Sequence, residues 1–465
     1  MPKSITNKLQ REKSEPKKLR CLLRTFGCQM NAYDSQLAAG ILEHEGFEVI
    51  TEAEDPEDCV DAFGKPKLSQ GADIVLMNTC SVRDHAEERV WGRLGMLGKE
   101  KKEHPDLIIG LMGCMVEEHR EQLFKRFPQL DVMIGTRNIK ELPRLLRQVR
   151  EMRKQVARIK QDGISIEYSE HTKHETGGHA WLPIMTGCDK VCTFCIVPKT
   201  RGSEVSMPAQ EVFSEATRLV AGGVKWITLL GQNVNSYRGT GSFPDLLERL
   251  CQIEGLERLS FTTSHPQDAT EELFQVIARN PKIGRRLHLP LQSGSDRILR
   301  LMKRLHTYAE YKAKIERVRE LVPDIAVTTD VITGFSSETD EDHQATLRAF
   351  EEIRFDGAFI YKYSVRPGTP AARLPDDVPS AVKGERHGEL LALHRAVLDV
   401  KNRELLGKVC TAFVESARDE NPNEQIGRTD QDRRVAFEAA KDLRGQFVRL
   451  EVTGLRHETF RGKLV

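Results

Sequence analysis

Three cysteines, Cys188, Cys192 and Cys195, constrain this chain more than any other feature. They lie within eight residues, so one short loop must bring three sulfur atoms together. Three thiolates can hold one corner of an iron–sulfur cubane and leave the fourth iron without a protein ligand. A closed zinc site needs four protein ligands. The spacing therefore favours a cluster with one open iron over its alternatives, a zinc knuckle completed by a distant residue or a disulfide-forming trio.

The composition is that of an ordinary globular protein. The chain has 465 residues, enough for two or three domains, with 39% hydrophobic and 30% charged residues. Its longest apolar run, 107–116, is about half of a bilayer span, so we expect no membrane partner. Residues 1–18 are charged and lack the apolar core of a signal peptide, which predicts a disordered basic tail. Without export, ten cysteines fit metal ligation in a reducing, cytoplasmic location better than disulfides.

Net charge is only +1, but its distribution is uneven. Residues 1–24 and residues 140–160 each carry eight Lys or Arg against two Glu. Four basic residues of the second block recur every three or four positions: Arg147, Arg150, Lys154 and Arg158. If that segment is helical they form a cationic stripe, which is compatible with RNA binding and equally with an ordinary solvated helix face.

Residues 19–155 alternate between strand-like and helix-like patterns. Apolar runs predict strands at 19–25, 72–78, 107–112 and 132–134. Amphipathic stretches predict helices at 32–45, 84–98, 117–127 and 138–152. We expect a flavodoxin-like parallel sheet covered by helices. Residues 52–70 contain Pro, Gly and acidic residues without periodicity and are predicted to be a loop insertion.

Three further cysteines, Cys28, Cys80 and Cys114, each follow a predicted strand of this segment. Because the carboxyl ends of parallel strands meet at one edge of a sheet, these thiols are expected to meet in space. Gly27 and Gly113 directly precede two of them, as expected where the backbone bends around a bulky group. The pattern predicts a second three-cysteine iron–sulfur site; three separate buried cysteines are the alternative.

Residues 175–402 show about six β/α repeats, with predicted strands at 181–186, 225–230, 257–262, 286–291, 325–332 and 357–364. This pattern predicts a complete or partial TIM-like barrel with its active site at the carboxyl ends of the strands. The loop of Cys188 follows the first strand and lies on that face. Three polar loops share the face, at 231–235, 288–295 and 328–335, although each alone could be an ordinary turn.

Residues 403–465 follow a long predicted helix, 384–406, and change character. Short strands are predicted at 409–415, 433–437, 446–452 and 458–463. They indicate a small OB-like β-barrel, a fold that commonly holds nucleic acid. Residues 427–430, followed by Arg433 and Arg434, are the predicted RNA contact strip, and a capping domain without ligand is the alternative.

Eight motifs carry a resemblance to a known family: TFGCQMN, NTCSVR, GCM, GCDKVCTFCIVPKTRG, LLGQNVNSY, HLPLQSGSD, TDVITGF and YSVRPGTPA. They resemble the methylthiotransferase family of radical S-adenosylmethionine (SAM) enzymes, and most of all its MiaB-type branch, from residue 19 to the C-terminus. The resemblance implies an N-terminal methylthiotransferase domain at 19–155, a radical SAM domain at 175–402 and a TRAM-like RNA-binding domain at 403–465. The interval between Cys28 and Cys80 departs from the family because it is lengthened by 52–70.

The resemblance also implies the cofactors. One [4Fe-4S] cluster at Cys188, Cys192 and Cys195 binds SAM, and an auxiliary [4Fe-4S] cluster is held by the other three cysteines, Cys28, Cys80 and Cys114. SAM contacts are expected at six positions: Phe194, Gln232, Asn233, Gln292, Ser293 and Asp330. No side chain is expected to act as a catalytic acid or base, because the cofactors carry the difficult chemistry. The remaining cysteines match no ligand motif and are interpreted as structural: Cys21, Cys59, Cys251 and Cys410.

The implied reaction converts N6-isopentenyladenosine at position 37 of the tRNA anticodon loop to its 2-methylthio derivative. SAM serves both radical generation and methyl transfer, and the auxiliary cluster delivers the sulfur. An electron donor such as flavodoxin or ferredoxin and a monomeric state are also expected. Two alternative substrates are threonylcarbamoyladenosine tRNA and an aspartate of a ribosomal protein, and an RNA-binding iron–sulfur sensor without turnover is an alternative of another class. No DxHxxG cobalamin signature occurs in 18–155, which disfavours a cobalamin enzyme.

Overall fold

The computed structural model describes residues 18–52, 68–81, 84–120, 122–159, 168–174, 177–418, 421 and 423–465. The predicted tail, apart from Lys18, lies outside the described residues, as do residues 53–67 of the predicted insertion, including Cys59. In the part of the chain that is described, no helix combines the length and the apolarity that crossing a membrane requires.

The N-terminal part forms a parallel sheet whose strand order is β2-β1-β3-β4-β5-β6. The strands are β1 (Arg20–Phe26), β2 (Glu48–Glu52), β3 (Ile74–Thr79), β4 (Ile108–Gly113), β5 (Val132–Ile134) and β6 (Val156–Arg158). β3 and β4 are buried along their whole lengths, and their sequences are nearly continuous apolar runs because helices cover both faces of the sheet. The predicted flavodoxin-like architecture is confirmed.

Five helices pack on this sheet in the described residues: α1 (Gln29–His44), α2 (Asp84–Glu103), α3 (Cys114–His119), α4 (Gln122–Arg126) and α5 (Leu142–Met152). The single helix predicted at 117–127 is wrong. The structure has two short helices there, and the chain leaves α3 at Arg120, whose backbone adopts a left-handed φ of 45°.

The predicted cationic stripe is also wrong. α5 ends at Met152 because Arg153 takes a left-handed conformation with a φ of 52°, so Lys154 and Arg158 are not helical. Arg158 instead belongs to β6 and pairs with Glu141 at 2.9 Å. On the helix itself, Arg147 pairs with Glu45 at 2.8 Å. Two of the four charges are therefore engaged in ion pairs within the N-terminal part.

The central part is an open, partial barrel. Its parallel strands form two groups of three, β7 (His179–Pro183), β10 (Trp226–Leu230) and β11 (Arg258–Phe261), and β12 (Arg286–His288), β13 (Ala326–Thr333) and β14 (Gly357–Lys362). A parallel bridge between Leu259 and Ile283 joins the groups. A short ribbon of β8 (Met185–Thr186) and β9 (Val205–Ser206) flanks the first loop. The predicted partial TIM-like barrel is confirmed.

Helices connect the strands of the partial barrel. In the described residues they are α6 (Val197–Arg201), α7 (Ala209–Ala221), α8 (Phe243–Cys251), α9 (Glu271–Arg279), α10 (Asp296–Leu301), α11 (Tyr308–Leu321), α12 (Asp340–Ile353) and α13 (Ser380–Arg403). Reciprocal capping fixes several of their starts: Thr307 with Glu310 begins α11, and Thr339 with Asp342 begins α12.

The C-terminal part is a closed barrel with the order β15-β16-β17-β19-β18, which confirms the predicted OB-like barrel. Its strands are β15 (Val409–Ala417), β16 (Glu424–Thr429), β17 (Arg434–Glu438), β18 (Phe447–Arg456) and β19 (Thr459–Leu464). Its interior is filled by small and aromatic apolar side chains, including Ala412, Phe437 and Phe460. β16 was not predicted as a strand.

The predicted RNA contact strip is wrong for 427–430 and Arg433, because they face the partial barrel, whereas Arg434 is exposed. Arg258, the first residue of β11, pairs with Asp430 and donates to the Arg428 carbonyl at 3.0 Å. Arg433 pairs with Asp356, which directly precedes β14, at 3.3 Å. The C-terminal barrel is thus docked on the amino-terminal edge of the strands, opposite the Cys188 loop.

Candidate functional site

The first cysteine set lies at the topological switch point of the N-terminal sheet. The strand order reverses at β1, so a crevice opens beyond the carboxyl ends of β1 and β3. Cys28 follows β1 at the N-cap of α1, Cys80 directly follows β3, and Cys114 is the first residue of α3 after β4. The structure brings the three thiols to one edge, as expected, while their role as ligands stays a prediction.

The thiols of this set differ in acidity. A hydrogen bond with Cys80 lowers the pKa of Cys28 to about 6, against the opposing effect of burial, and the positive charge of Arg201 contributes to the lowering. Burial raises the pKa of Cys114. The thiolate is the form that binds metal. Cys28 is therefore more ready than Cys114 to bind metal at neutral pH.

The glycines that precede Cys28 and Cys114 are required by close contacts. A Cβ atom on Gly27 would lie 2.3 Å from the Asn31 Oδ1 and 2.8 Å from the Cys80 Cβ. Gly113 has a left-handed φ of 97°, which favours glycine. The turn into each cysteine therefore leaves no space for a larger residue.

A buried amide pair links two of these turns. The Asn31 side chain donates to the Asn78 Oδ1 at 3.0 Å, and the Asn78 side chain donates to the Asn31 carbonyl at 2.7 Å. Both side chains are fully buried. The pair ties the start of α1 to the end of β3 and so holds Cys28 next to Cys80.

The second cysteine set lies in the loop after β8, and its backbone is held from several directions. The Cys188 N–H donates to the Gly202 carbonyl at 3.1 Å, and the Thr193 N–H donates to the Met302 carbonyl at 3.0 Å. The Gln232 Oε1 accepts from the Gly187 N–H at 2.6 Å. Contacts from three different elements therefore fix the conformation of this loop.

Burial raises the pKa of Cys188, and it raises that of Cys195 to about 12; in both cases the neighbouring thiols of the set add to the shift. Arg304 lies beside them, with its Nη1 3.3 Å from the Cys192 Sγ and its Nη2 donating to the Pro290 carbonyl at 2.9 Å. A buried guanidinium in contact with the Cys192 sulfur favours the ionised, metal-binding form of that thiol.

Both cysteine sets reach one open cavity of about 2790 Å³ between the N-terminal sheet and the partial barrel. Cys28 and Cys80 line it from one side and Cys195 from the other. Its described lining also includes basic side chains from both parts of the chain: Arg24, Arg89, Arg93, Lys173, Arg286, Lys362, Arg366 and Lys383. The acidic lining residues are fewer: Glu88, Asp330 and Asp376. Arg286 pairs with Asp432 and Lys383 with Asp376, but basic residues still outnumber acidic ones in the lining, so the cavity attracts anions.

Four of the six predicted SAM-contact residues line this cavity: Phe194, Gln232, Gln292 and Asp330. The other two are turned into the protein and are not among its lining residues. The Asn233 side chain donates to Asp268 at 2.8 Å, and the fully buried Ser293 hydroxyl lies 3.5 Å from that of Thr346 on α12. Their assignment as cofactor contacts stays a prediction that this geometry does not support.

The lining residues are themselves positioned by short-range contacts. Asp330 lies 3.3 Å from the His288 Nε2. Gln292 adopts a left-handed φ of 74° and bridges to Val331, which turns the loop after β12 toward β13. Phe194 packs edge-on against Phe335 with 6.5 Å between ring centroids. Polar groups and an aromatic ring thus share the wall beside Cys195.

Sequence reasoning missed the two arginines that contact the thiols. Arg201 lies in the quoted motif that follows the third cysteine, and its Nε is 3.3 Å from the Cys114 Sγ. Arg304 lies outside every quoted motif, and no local pattern points to it. The described cysteines are all free thiols.

Comparisons with known proteins agree with this geometry. The profile of the Radical SAM superfamily matches residues 182–350, and that of the uncharacterized protein family UPF0004 matches residues 63–135. Among solved structures, the radical S-adenosylmethionine methyltransferase TsrM from Kitasatospora setae has a TM-score of 0.54 at 16% identity and aligns with 76% of this chain and 74% of its own. The cobalamin-dependent radical enzyme OxsB has a TM-score of 0.50 at 14% identity, covering 83% of this chain and 56% of its own. Both show similarity of fold.

Curated relatives are far more similar in sequence. A tRNA-2-methylthio-N(6)-dimethylallyladenosine synthase of Dictyoglomus thermophilum is 42% identical over 446 residues, which is 95% of this chain and 97% of the relative. Proteins of the same name from Aeromonas salmonicida and Methylococcus capsulatus are 41% and 40% identical, over 95% and 97% of this chain and 91% and 96% of their own lengths. The chain belongs to the tRNA-2-methylthio-N(6)-dimethylallyladenosine synthase family of radical SAM enzymes.

Proposed function

We propose that this protein is a tRNA methylthiotransferase that converts N6-isopentenyladenosine, next to the anticodon at position 37, to its 2-methylthio derivative. One observation carries the proposal: two separate sets of three cysteines reach the same cavity, with Cys28 and Cys80 on one wall and Cys195 on the other. A substrate base in that cavity would contact both sets. The curated relatives, which share this function by name, support the same reaction.

The residues of both sets fit [4Fe-4S] clusters. Each set offers three thiols and one nearly buried arginine within 3.3 Å of a sulfur, a donor set suited to an anionic cluster with one iron left open. Because Cys188 and Cys195 have raised pKa values in the protein alone, ligation at that site must release protons. When bound, the cluster at Cys188, Cys192 and Cys195 supplies the electron for SAM cleavage, and the one at Cys28, Cys80 and Cys114 supplies the sulfur.

The chain itself contributes positioning. Gln232 holds the loop of Cys188 through the Gly187 N–H and so helps to fix the direction of this loop. Asp330 and His288 form a polar pair on the wall beside it, which suits the amine or ribose hydroxyls of SAM. The Phe194 ring lies on the same wall and suits contact with an adenine. We assign SAM binding to Phe194, Gln232, Gln292 and Asp330.

RNA binding is assigned to the cavity rim and to the C-terminal domain, 403–465. Arg89, Arg93 and Arg366 line the cavity and would meet the phosphates that flank an inserted base. Residues 427–430 of the C-terminal barrel contact the partial barrel. The surface of the C-terminal barrel that faces RNA therefore lies elsewhere. Its exposed basic residues, which include Lys408, Arg449, Arg456 and Lys463, are available for that purpose.

We further propose three partner properties. The cluster that binds SAM receives its electron from a small donor protein such as flavodoxin or ferredoxin, because no described side chain can supply one. The protein acts as a monomer, since both cysteine sets and the cavity come from one chain. It works in the cytoplasm, where tRNA is modified.

The deciding assay gives the anaerobically reconstituted protein SAM, dithionite and three substrates in separate reactions. These are isopentenylated tRNA, threonylcarbamoylated tRNA and the small-subunit ribosomal protein. We expect a 2-methylthio nucleoside, identified by mass spectrometry, from the first alone. Product from either of the others without product from the first would contradict the substrate assignment. SAM cleavage without any methylthio product would contradict the transferase assignment itself.

A further inference from the structure

Arg201, the last residue of α6, reaches from the radical SAM part of the chain into the N-terminal sheet. α6 begins two residues after Cys195, so Arg201 belongs to the same loop as the second cysteine set. Its Nε donates to the Cys114 Sγ of the first set at 3.3 Å. Arg201 therefore joins the segment that carries the second set to a thiol of the first set.

The positive charge of Arg201 is neutralised by a neighbouring carboxylate, that of Asp34. Its Nη2 pairs with the Asp34 Oδ2 of α1 at 2.7 Å, and the two side chains are only 6% and 7% exposed. Burying a guanidinium without a partner is costly, so Asp34 offsets the desolvation of Arg201. Arg201 can consequently remain beside Cys114 without leaving an isolated charge in the interior.

The backbone at this point is held from both sides as well. The Arg201 carbonyl accepts from the Arg137 Nη2 of the N-terminal part at 2.7 Å, and the Gly202 carbonyl accepts from the Cys188 N–H at 3.1 Å. A Cβ atom on Gly202 would lie 2.0 Å from the Arg137 Nη2, so the approach is as close as glycine allows. Of these two consecutive residues, Arg201 contacts the first cysteine set and Gly202 contacts the second.

We propose that Arg201 is a positioning residue that fixes the two cysteine sites relative to each other and, with Asp34, sets the reduction potential of the cluster at Cys28, Cys80 and Cys114. This rests on the proposed function, which places a cluster there. Reduction adds a negative charge, and a guanidinium donating to a ligand sulfur stabilises the more negative state. Asp34 acts in the opposite direction because its negative charge weakens that effect.

The test uses the full-length chain with Cys188, Cys192 and Cys195 replaced by Ala, so that one cluster remains. Its potential is measured by dithionite titration followed by electron paramagnetic resonance, with iron content determined in parallel. We expect Arg201→Gln to shift the potential downward and Asp34→Asn to shift it upward. The double variant should return toward the parent value. If Arg201 and Asp34 served folding alone, their substitutions would not shift the reduction potential in opposite directions.

Arg137→Gln is the matched control, since it removes a hydrogen bond at the same contact without touching a cysteine. Its potential should equal that of the parent, and an equal shift there would assign the effect to docking and overturn the proposal. If Arg201→Gln fails to hold iron, Asp34→Asn and Arg201→Lys decide. An upward shift in the first and a smaller downward shift in the second support the proposal, because lysine keeps the charge but cannot fork to both partners.

Shifts of the same sign in Asp34→Asn and Arg201→Lys, or no shift in either, would also overturn it. Absence of any cluster in the parent variant is a different result. It would contradict the proposed function, because the auxiliary site itself would then not exist.

Discussion

Gly113 and Asn78 approach each other so closely that a Cβ atom on Gly113 would lie 2.4 Å from the Asn78 Oδ1. It would also lie 2.5 Å from the Thr79 carbonyl oxygen. Because Asn78 is part of the buried amide pair that holds Cys28 near Cys80, the turn at Gly113 and the geometry of all three cysteines are mechanically connected.

We therefore expect Gly113→Ala to lower the free energy of unfolding by about 2 kcal/mol, from left-handed strain together with the contact against Asn78. It should also reduce the iron bound at the Cys28 site. Thermal unfolding and iron analysis of the reconstituted protein measure both effects.

Gly95→Ala is the control for that substitution. Gly95 lies within α2, and a Cβ there would meet no atom within 4 Å. Alanine should raise stability by about 0.5–1 kcal/mol, since glycine is a poor helix former, with iron content unchanged. Equal losses in both variants would show that the turn at Gly113 has no special role.

Replacing either cysteine set by Ala separates the two proposed clusters. Each triple variant should retain roughly half of the iron and sulfide of the parent, because the two sites have no ligand in common. The variant without Cys28, Cys80 and Cys114 should still cleave SAM to 5′-deoxyadenosine and form no methylthio product. The variant without Cys188, Cys192 and Cys195 should do neither. Full iron in either variant, or full product from the first, would contradict the assignment.

Arg258→Ala should loosen the docking of the C-terminal barrel. The Arg258 side chain is 3% exposed, pairs with Asp430 and lies over the Trp226 and Phe447 rings at 5.2 and 4.6 Å. Its loss removes the ion pair with Asp430 and the donor to the Arg428 carbonyl, and should cost about 2–3 kcal/mol. We expect faster proteolytic cleavage at 404–408 and weaker tRNA binding, while both clusters load normally.

Arg444→Ala serves as the comparison for Arg258→Ala. Arg444 is exposed and pairs with Asp442, two residues away in the same loop. An exposed local pair contributes little to stability, so cleavage at 404–408 should proceed at the parent rate. Comparable cleavage of both variants would show that Arg258 does not hold the barrel.

Stability should decrease between pH 6.5 and pH 5 because of His179. Burial, assisted by the charges of Arg428 and Arg258, lowers the pKa of His179 to about 3. The unfolded chain binds a proton there below about 6.5 while the folded protein does not, so acid favours unfolding. The loss from this residue should reach about 2 kcal/mol at pH 5. His179 contacts the Trp181 and Trp226 rings, so tryptophan fluorescence reports the transition.

Burial also lowers the pKa of His265, His306 and His394, so these residues add to the same acid loss. His179→Gln should reduce the slope only by the share of His179, since glutamine can replace the hydrogen bond to Thr228 without titrating. The exposed His457 offers the control, and His457→Gln should keep the parent slope. An unchanged slope in His179→Gln would contradict the prediction.

The sequence predicted the parallel sheet and the partial barrel because both have continuous apolar strands between amphipathic helices. The edge strands β2 and β6 were missed. β6 has three residues, none of them fully buried, so it carries too little apolar signal. The clustering of the cysteines could be predicted because each one follows a strand. Loops that follow parallel strands lie at the same edge of a sheet.

What sequence could not show was the partner of each charge. Arg428 and Arg433 form a basic strip in the sequence, yet their partners Glu415 and Asp356 are 13 and 77 residues away. Arg304 is 112 residues from Cys192. Such pairings depend on how separate elements dock, and no local periodicity encodes them. For the same reason, Asn233 and Ser293 were assigned to the cofactor although their loops turn them inward.

The docking of the C-terminal barrel on Arg258 and Arg286 limits which C-terminal barrels this chain could accept from a relative. A barrel taken from a relative would not form these ion pairs unless it carried acidic residues at the positions of Asp430 and Asp432. Recombination would have to preserve this charge match, whereas the opposite surface of the barrel is free to diverge. Chimeras built with and without the matching pair would therefore separate inheritance of the attachment from inheritance of RNA preference.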